Sequence, residues 1–284
     1  MERIIGVGDN VCDVYLHENC MYPGGQALNV AVYSRLLGAR SAYLGVFGTD
    51  AVGAHVQKVL DELGVEHSRC RVCPGENGYA LVELADGDRI FRGSNKGGVL
   101  RQNPLKLTEE DLGYLSGFRV LHTSNNSYFD SSLPQARKAV ACISYDFSRQ
   151  WTGEDKLRDV CPWIDVAFLS CGDLPLEEAE ALCGTIQSYG CRTAVATLGG
   201  RGALIRSGAQ RHFQRADTVH AVDTLGAGDS FCAAFLCARE LEGRTLTASA
   251  ESAARFSART CLCRGAFGHG APAVWPLSET KEQP

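Results

Sequence analysis

The sequence has no apolar run long enough to span a bilayer, and Met1-Glu2-Arg3-Ile4 opens no signal-like apolar core. These absences argue against a membrane or secreted protein and lead us to expect a cytoplasmic one. Basic charge is also short. Lys and Arg number 28 against 33 Asp and Glu, which leaves a net charge of −5 and a pI near 5.8. With no basic stripe, nucleic acid is not an expected partner. No internal repeat or low-complexity linker is present, so nothing points to a solenoid or a second domain of independent size. Metal-binding patterns are missing too. Cys70-Arg71-Val72-Cys73 has ligand-like spacing, but no second pair completes it, and Cys261 and Cys263 stand only two apart. The 13 cysteines therefore read as reduced thiols that pack as small hydrophobes.

What remains suits one large soluble core: 284 residues, of which 45% are hydrophobic and 21% charged. We expect a single domain over residues 1–275, followed by a polar tail at 276–284. Residues 3–8 read as a buried strand. Gly6-Val7-Gly8 hints at a dinucleotide fingerprint, but a third glycine and a helix start are both missing, because residues 12–16 look like another strand. A helix is expected to run to Leu37, with Leu28, Val32 and Leu36 along one face and Gly38 just past its end. A strand over 41–47 leads through Gly48-Thr49-Asp50 into a second helix, with Asp50 read as its N-cap. Ala85-Asp86-Gly87 between alternating segments is a hairpin signal. From residue 107 strands and helices alternate, which predicts a mostly parallel sheet with helices on both faces. Ligands belong at the C-terminal ends of such strands, where Asp146, Ser170, Thr197 and Asp223 are expected.

The chemistry concentrates in Val222-Asp223-Thr224-Leu225-Gly226-Ala227-Gly228-Asp229-Ser230-Phe231. It reads as a strand end, a glycine-rich turn and a helix start. Small side chains leave the turn's N–H groups open to an anion, and the helix points its positive end at the same place. Asp229 in the first turn puts a carboxylate beside that cradle. This pairing suits transfer of a phosphoryl group onto a hydroxyl, with the carboxylate taking the proton. On spacing alone, a plain strand-to-helix turn is an equal reading. Two other glycine turns stand out: Pro23-Gly24-Gly25-Gln26-Ala27-Leu28-Asn29, where Asn29 offers both a donor and an acceptor, and Thr197-Leu198-Gly199-Gly200-Arg201-Gly202.

Asp-Thr-x-Gly-Ala-Gly-Asp-x-Phe resembles the signature of the ribokinase, or PfkB, family of sugar and nucleoside kinases. Gly24-Gly25 with Asn29 resembles that family's second signature. The resemblance runs from Gly6 to Gly265. It implies a ribokinase-like three-layer α/β/α fold with a small β lid, placed at about residues 10–20 and 70–95. It implies Asp229 as catalytic base and the amides of Gly226, Ala227 and Gly228 as an anion hole. Asp13, Gly24, Gly25, Asn29 and Arg92 would meet the sugar. Ser170, Thr197, Gly199, Gly202, Asp223, Thr224, Gly226 and Gly228 would meet ATP. Ser170-Cys171-Gly172-Asp173 stands where the family has Asn-x-x-Glu, so Asp173 is the expected Mg²⁺ contact despite that departure. A K⁺ ion near Asp223 and a homodimer through the lid are also implied. Several segments, among them Gly8-Asp9-Asn10 and Asp146-Phe147-Ser148, resemble the fructoselysine 6-kinases within the family. That implies ATP-dependent phosphorylation of the 6-hydroxyl of fructose carried on the ε-amine of lysine. Fructose, a keto-deoxy sugar acid or a nucleoside are the alternative acceptors, and a non-catalytic sugar sensor is the rival outside enzymology.

Overall fold

The computed structural model describes residues 3–85 and 88–274. The chain begins with β1 (Arg3–Gly8), β2 (Val11–Tyr15), β3 (Cys20–Gly24), α1 (Gln26–Leu36), β4 (Arg40–Gly48) and α2 (Ala51–Leu63). Then come β5 (Arg71–Cys73), β6 (Gly78–Ala85), β7 (Asp88–Ser94), α3 (Val99–Gln102), α4 (Glu109–Leu115), β8 (Val120–Ser124) and α5 (Leu133–Ala139). After these follow β9 (Cys142–Asp146), α6 (Glu154–Val160), β10 (Val166–Ser170), α7 (Leu176–Ser188), β11 (Thr193–Thr197), β12 (Ala203–Ser207) and β13 (Gln210–Gln214). The chain closes with α8 (Ala227–Leu236), α9 (Leu246–Thr260) and β14 (Ala271–Pro272). Among the described residues no helix is long and apolar enough to cross a membrane.

Nine strands form the large sheet in the order β13-β12-β11-β10-β9-β8-β1-β4-β5. It is parallel except where β12 pairs antiparallel with β11 and β13. Because side chains alternate along a strand, Ile4 and Ile5 enter opposite cores, and both are fully buried. Ile4 joins the layer under α8 and α9, and Ile5 joins the layer that includes Leu115, Leu133 and Ile186. Each such burial contributes about 1.5–3 kcal/mol. These are the two helical layers the strand–helix alternation predicts.

The second sheet, in the order β14-β3-β2-β6-β7, stands apart from the first. Of the segments expected in a lid, β2, β6 and β7 belong to it, whereas Arg71–Cys73 pairs with β4 at the edge of the large sheet. The strands β6 and β7 run antiparallel, and the Asp86-Gly87 turn between them lies outside the described residues. So does the expected tail at 276–284. A buried amide network joins the two sheets. Asn10 Nδ2 donates to the Tyr43 hydroxyl at 2.9 Å and to the Val46 carbonyl at 3.0 Å, and Asn77 Nδ2 donates to Asn10 Oδ1 at 2.9 Å.

Three expectations change. Helix α1 shows no single apolar face: Ala27 through Ser34 are all buried, and Leu36 is exposed. The cause is that α1 packs against α8 as well as β1 and β4, so its first two turns are enclosed on every side. Asp223 is not a strand end. Val222 and Asp223 donate their N–H groups to the Cys261 carbonyl in an irregular segment leading to α8. The sequence reads as a long helix from Thr247 to Arg264, whereas α9 stops at Thr260, where Cys261 caps it and the chain turns.

Candidate active site

Both helices with glycine-rich starts aim their N-terminal ends at one cleft. The N-cap of α1 is Gly25, which has no side chain to cap with. Asp9, at the end of β1, supplies the cap instead: Oδ2 accepts from the Gln26 amide at 2.6 Å and Oδ1 from the Ala27 amide at 3.2 Å. Asp9 Oδ1 also accepts from the hydroxyls of Ser124 at 2.9 Å and Ser127 at 2.8 Å. A carboxylate so placed satisfies orphan donors and complements the helix dipole. Gly25 has φ +112, and a Cβ there would lie 2.8 Å from Asn10 Cα and the Asp9 carbonyl. The residue must be glycine for α1 to start where it does.

Asn29 lies one turn into α1 and is almost fully buried. Its Nδ2 donates to Asp229 Oδ2 at 2.6 Å. Its Oδ1 is buried with no hydrogen-bond partner in the protein. An orphaned acceptor at the floor of a cleft calls for a donor from a ligand, such as a sugar hydroxyl. Burial pushes the Asp229 carboxyl up to about 8, the charge of Asp146 adds to the rise, and the Asn29 amide opposes it. Burial also raises Asp146 to about 6, against the Ser148 amide that donates to its Oδ1 at 2.6 Å. A carboxyl displaced toward neutrality suits proton transfer where it borders a cleft, which here holds for Asp229 and not for Asp146.

Helix α8 begins at Gly226, in the left-handed region at φ +74, and no side chain caps it. A Cβ on Gly226 would meet the Tyr33 hydroxyl at 2.3 Å, and that hydroxyl donates to the Ala266 carbonyl. The turn before it is fixed by Asp223. Its Oδ1 accepts from the Leu225 amide at 2.9 Å, and its Oδ2 accepts from the Gly265 amide at 3.0 Å and the Tyr15 hydroxyl at 2.5 Å. The Asp223 carboxylate is thus filled from inside the protein and organises the turn from behind.

Two cavities flank this helix start. One, of about 560 Å³, is lined by Asp9, Asp13, Gly25, Asn29, Leu225 and Asp229, among others from the small sheet and its neighbours. The other, of about 370 Å³ and largely apolar, is lined by Thr197, Gly199, Gly202, Thr224, Ala227 and Gly228. It is completed by the segment from Gln214 to Ala221 and by Ala254, Ser257 and Cys261 near the end of α9. The turn therefore forms the wall between them, with Gly228 on one side and Asp229 on the other. Gly199, Gly200 and Gly228 face open space, where a phosphate could approach the backbone closely.

Not every expected residue gathers here. Gly24 touches the site through Asp13, since a Cβ on it would lie 2.5 Å from Asp13 Oδ2. Arg92 pairs with Glu83 at 2.7 Å and lines neither cavity. Asp173 is exposed and pairs with Arg149 at 3.1 Å. Ser170 ends β10 beside Thr197 of β11, with its carbonyl accepting from Trp151 Nε1 at 3.0 Å. Asp50 is the N-cap of α2, accepting from the Gly53 amide at 2.9 Å. Residues that sequence reasoning did not assign include Asp9 as the α1 cap, Tyr15 behind Asp223, and Lys96, Arg101 and Tyr128 around the larger cavity. An acid directly after a strand and directly before Asn10 was the available signal for Asp9.

Known proteins resemble this chain in sequence and in fold. The sequence model described as pfkB family carbohydrate kinase matches residues 4–272. The chain is 42% identical over 271 residues to fructosamine kinase FrlD of Bacillus subtilis (strain 168), covering 95% of this chain and 94% of that protein. It is 32% identical over 270 residues to fructoselysine 6-kinase of Escherichia coli (strain K12), covering 94% of this chain and all of that protein. The structure of Arabidopsis thaliana ribokinase complexed with ribose and ATP superposes with a TM-score of 0.79 at 21% identity, covering 94% of this chain and 95% of that one.

Proposed function

The chain belongs to the pfkB family of carbohydrate kinases and is an ATP-dependent sugar phosphotransferase, and from that premise we propose that its acceptor is a fructosamine, with fructoselysine phosphorylated at its 6-hydroxyl. The observation that supports the acceptor is the 42% identity, over 95% of the chain, to a fructosamine kinase, and the position of Asp229, half-buried at the wall between the two cavities and held by Asn29, supports the transfer chemistry. In this reading, the sugar occupies the larger cavity and the nucleotide the smaller, apolar one.

The residues then divide the work. Asp13 and the unpaired Oδ1 of Asn29 accept hydrogen bonds from sugar hydroxyls and turn one of them toward Asp229. Asp229, once ionised, takes the proton of that hydroxyl as its oxygen attacks the γ-phosphorus of ATP. The uncapped amides at the start of α8, from Gly226 to Gly228, meet the negative charge of the transferring group. The apolar walls of the smaller cavity exclude water from the adenine side. Thr197, Gly199, Gly202 and Thr224 border the phosphates and ribose in this reading.

Mg²⁺, when bound, would neutralise charge on the phosphates. Such an ion keeps several waters and takes few protein ligands. Asp173, exposed and paired with Arg149, lines neither cavity, and Ser170 reaches the smaller one only through its strand neighbour Thr197, so the nucleotide's phosphates and water would supply most of the ion's oxygens. The Asp223 carboxylate already has three donors, so a K⁺ ion nearby would have to rely on backbone carbonyls. The small sheet is the element that would close over the sugar and the surface through which two copies would pair.

The test is an ATP-consumption assay with Mg²⁺ and K⁺ against fructoselysine, fructose, ribose, 2-keto-3-deoxygluconate and inosine. Strong turnover on fructoselysine with little on free fructose is the expected result. Turnover confined to another acceptor keeps the kinase and discards the fructosamine.

A further inference from the structure

One strand of the small sheet reaches two parts of the site. Asp13 and Tyr15 stand two apart in β2, so their side chains leave the same face of it. Asp13 lines the larger cavity. Tyr15 is fully buried and lines neither cavity; its hydroxyl donates to Asp223 Oδ2 at 2.5 Å. A second ring holds this face in place. Tyr22 of β3 stands opposite Asp13 in the register, and its ring meets that of Tyr15 edge-on, with centroids 5.1 Å apart. The Tyr22 ring also packs over Gly265, where a Cβ would lie 2.6 Å from it. The Gly265 amide in turn donates to Asp223 Oδ2 at 3.0 Å.

Asp223 is only 1% exposed. A carboxylate so buried is costly unless donors meet it, and a hydrogen bond to a charged group is worth more than one between neutral groups. The two oxygens belong to one rigid plane, so whatever holds Oδ2 also fixes where Oδ1 lies. Oδ1 accepts from the Leu225 amide at 2.9 Å. Leu225 directly precedes Gly226, the left-handed residue from which α8 starts. A carboxylate that swings therefore releases the Leu225 amide and changes where the N–H groups of 226–228 point. The hold on Oδ2 comes from two directions: Gly265 brings it from the segment after α9, and Tyr15 brings it from the small sheet.

We infer that Tyr15 is a positioning residue for phosphoryl transfer: its hydroxyl ties the sheet that bears Asp13 to the carboxylate that orients the turn opening α8. The inference rests on the reading of that turn as the anion hole, and it names the group that keeps the turn in register with the sugar side of the site. Tyr15 acts through Asp223 and touches no reacting atom.

The experiment compares Tyr15→Phe, which loses the hydroxyl and keeps the ring, with Tyr22→Phe, whose lost hydroxyl faces Glu18 at 3.4 Å and not Asp223. In Tyr15→Phe kcat is expected to fall roughly 10- to 100-fold, with KM for acceptor and for ATP little changed. Tyr22→Phe should stay near the wild type. A second readout needs no substrate: exchange of the Leu225 amide hydrogen, followed by NMR, should be about tenfold faster in Tyr15→Phe and unchanged in Tyr22→Phe. Unchanged exchange in Tyr15→Phe, or an equal loss of kcat in the two variants, overturns the inference and leaves the anion-hole reading intact. A loss carried by KM alone also overturns it, and makes Tyr15 a support for the shape of the sugar cavity. Faster exchange with kcat undiminished overturns it together with the anion-hole reading, since the turn would then be loosened at no cost to transfer.

Discussion

The Nδ2 of Asn29 donates to Oδ2 of Asp229 at 2.6 Å, across 200 positions of sequence. Each residue sits in the first turns of a buried helix, α1 or α8, and the two helices pack together. The bond holds the carboxylate toward the larger cavity. Asp229→Asn removes the proton acceptor but leaves the amides of the turn in place. Turnover should fall by ~10²–10⁴ with ATP affinity nearly unchanged, measured by steady-state kinetics and calorimetry. Retention of more than about a tenth of the rate would exclude Asp229 as a general base.

The same pair sets the pH profile. As the proposed base Asp229 must be ionised to act, and burial pushes its carboxyl up to about 8, so on that proposal kcat/KM should rise with pH and level off above that value. The Asn29 amide is the group that lowers this pKa. Asn29→Leu should therefore move the rising limb to higher pH, besides weakening sugar binding. A limb that stays put would mean the amide does not favour the ionised form.

Stability carries the opposite sign. A carboxyl whose folded pKa lies above its unfolded value binds more protons folded than unfolded between about 4 and 8, so wild-type stability falls as pH rises through that window. Asp229→Asn lacks this penalty. At pH 8 it should melt about 2–4 °C higher than the wild type, on the order of 1 kcal/mol after allowing for solvent at the cavity mouth, and the gap should close toward pH 4. Equal melting temperatures at pH 8 would count against the raised pKa.

Gly24 and Gly25 should fail differently when changed to alanine. At Gly24 the new Cβ collides with Asp13 Oδ2, a side-chain atom that can swing away. The expected outcome is a raised KM for the sugar with little loss of stability. At Gly25 the Cβ meets backbone at Asn10 and Asp9 in a left-handed conformation, so the start of α1 must shift. A loss of about 1–3 kcal/mol and of most activity is expected, read by urea titration and turnover. Equal behaviour of the two variants would contradict this distinction.

Thiol chemistry gives an independent check on packing. All 13 cysteines are free, and Cys263 alone among them is exposed. Burial raises the thiols of Cys70, Cys161, Cys171 and Cys183 to about 12, away from the reactive thiolate. Titration with a thiol reagent should show one fast cysteine in the native protein, lost in Cys263→Ser, and all 13 after unfolding.

The residues legible in the sequence are those whose chemistry fixes their type. The turn and helix start from Gly226 to Asp229 could be read because the left-handed cap at Gly226 has no room for a Cβ, and Asp229 falls in the first turn of α8 as its spacing implies. The strands from β8 to β11 could be read from alternation. Tyr15 could not be tied to Asp223, since that contact spans 208 positions and leaves no local pattern. Nor could Lys96 and Tyr128 be assigned to one cavity, because their meeting depends on where the small sheet and the loop after β8 are carried. The one-sided reading of α1 failed for a related reason. Periodicity reports one buried face, and it is silent when a partner helix from the far end of the chain covers the other.

The order in which the chain is made has a consequence at this site. Asp9, Asp13 and Asn29 leave the ribosome early, and Asp229 follows 200 positions after Asn29, which at about 5–20 residues per second is ~10–40 s later. Until then Asn29 Nδ2 lacks the Asp229 carboxylate, and the side of α1 that packs on α8 is uncovered. Neither cavity is complete in a nascent chain until α8 and the residues through Cys261 have emerged, because both take one wall from them. If the cavities hold sugar and nucleotide as proposed, activity is withheld until those elements are made.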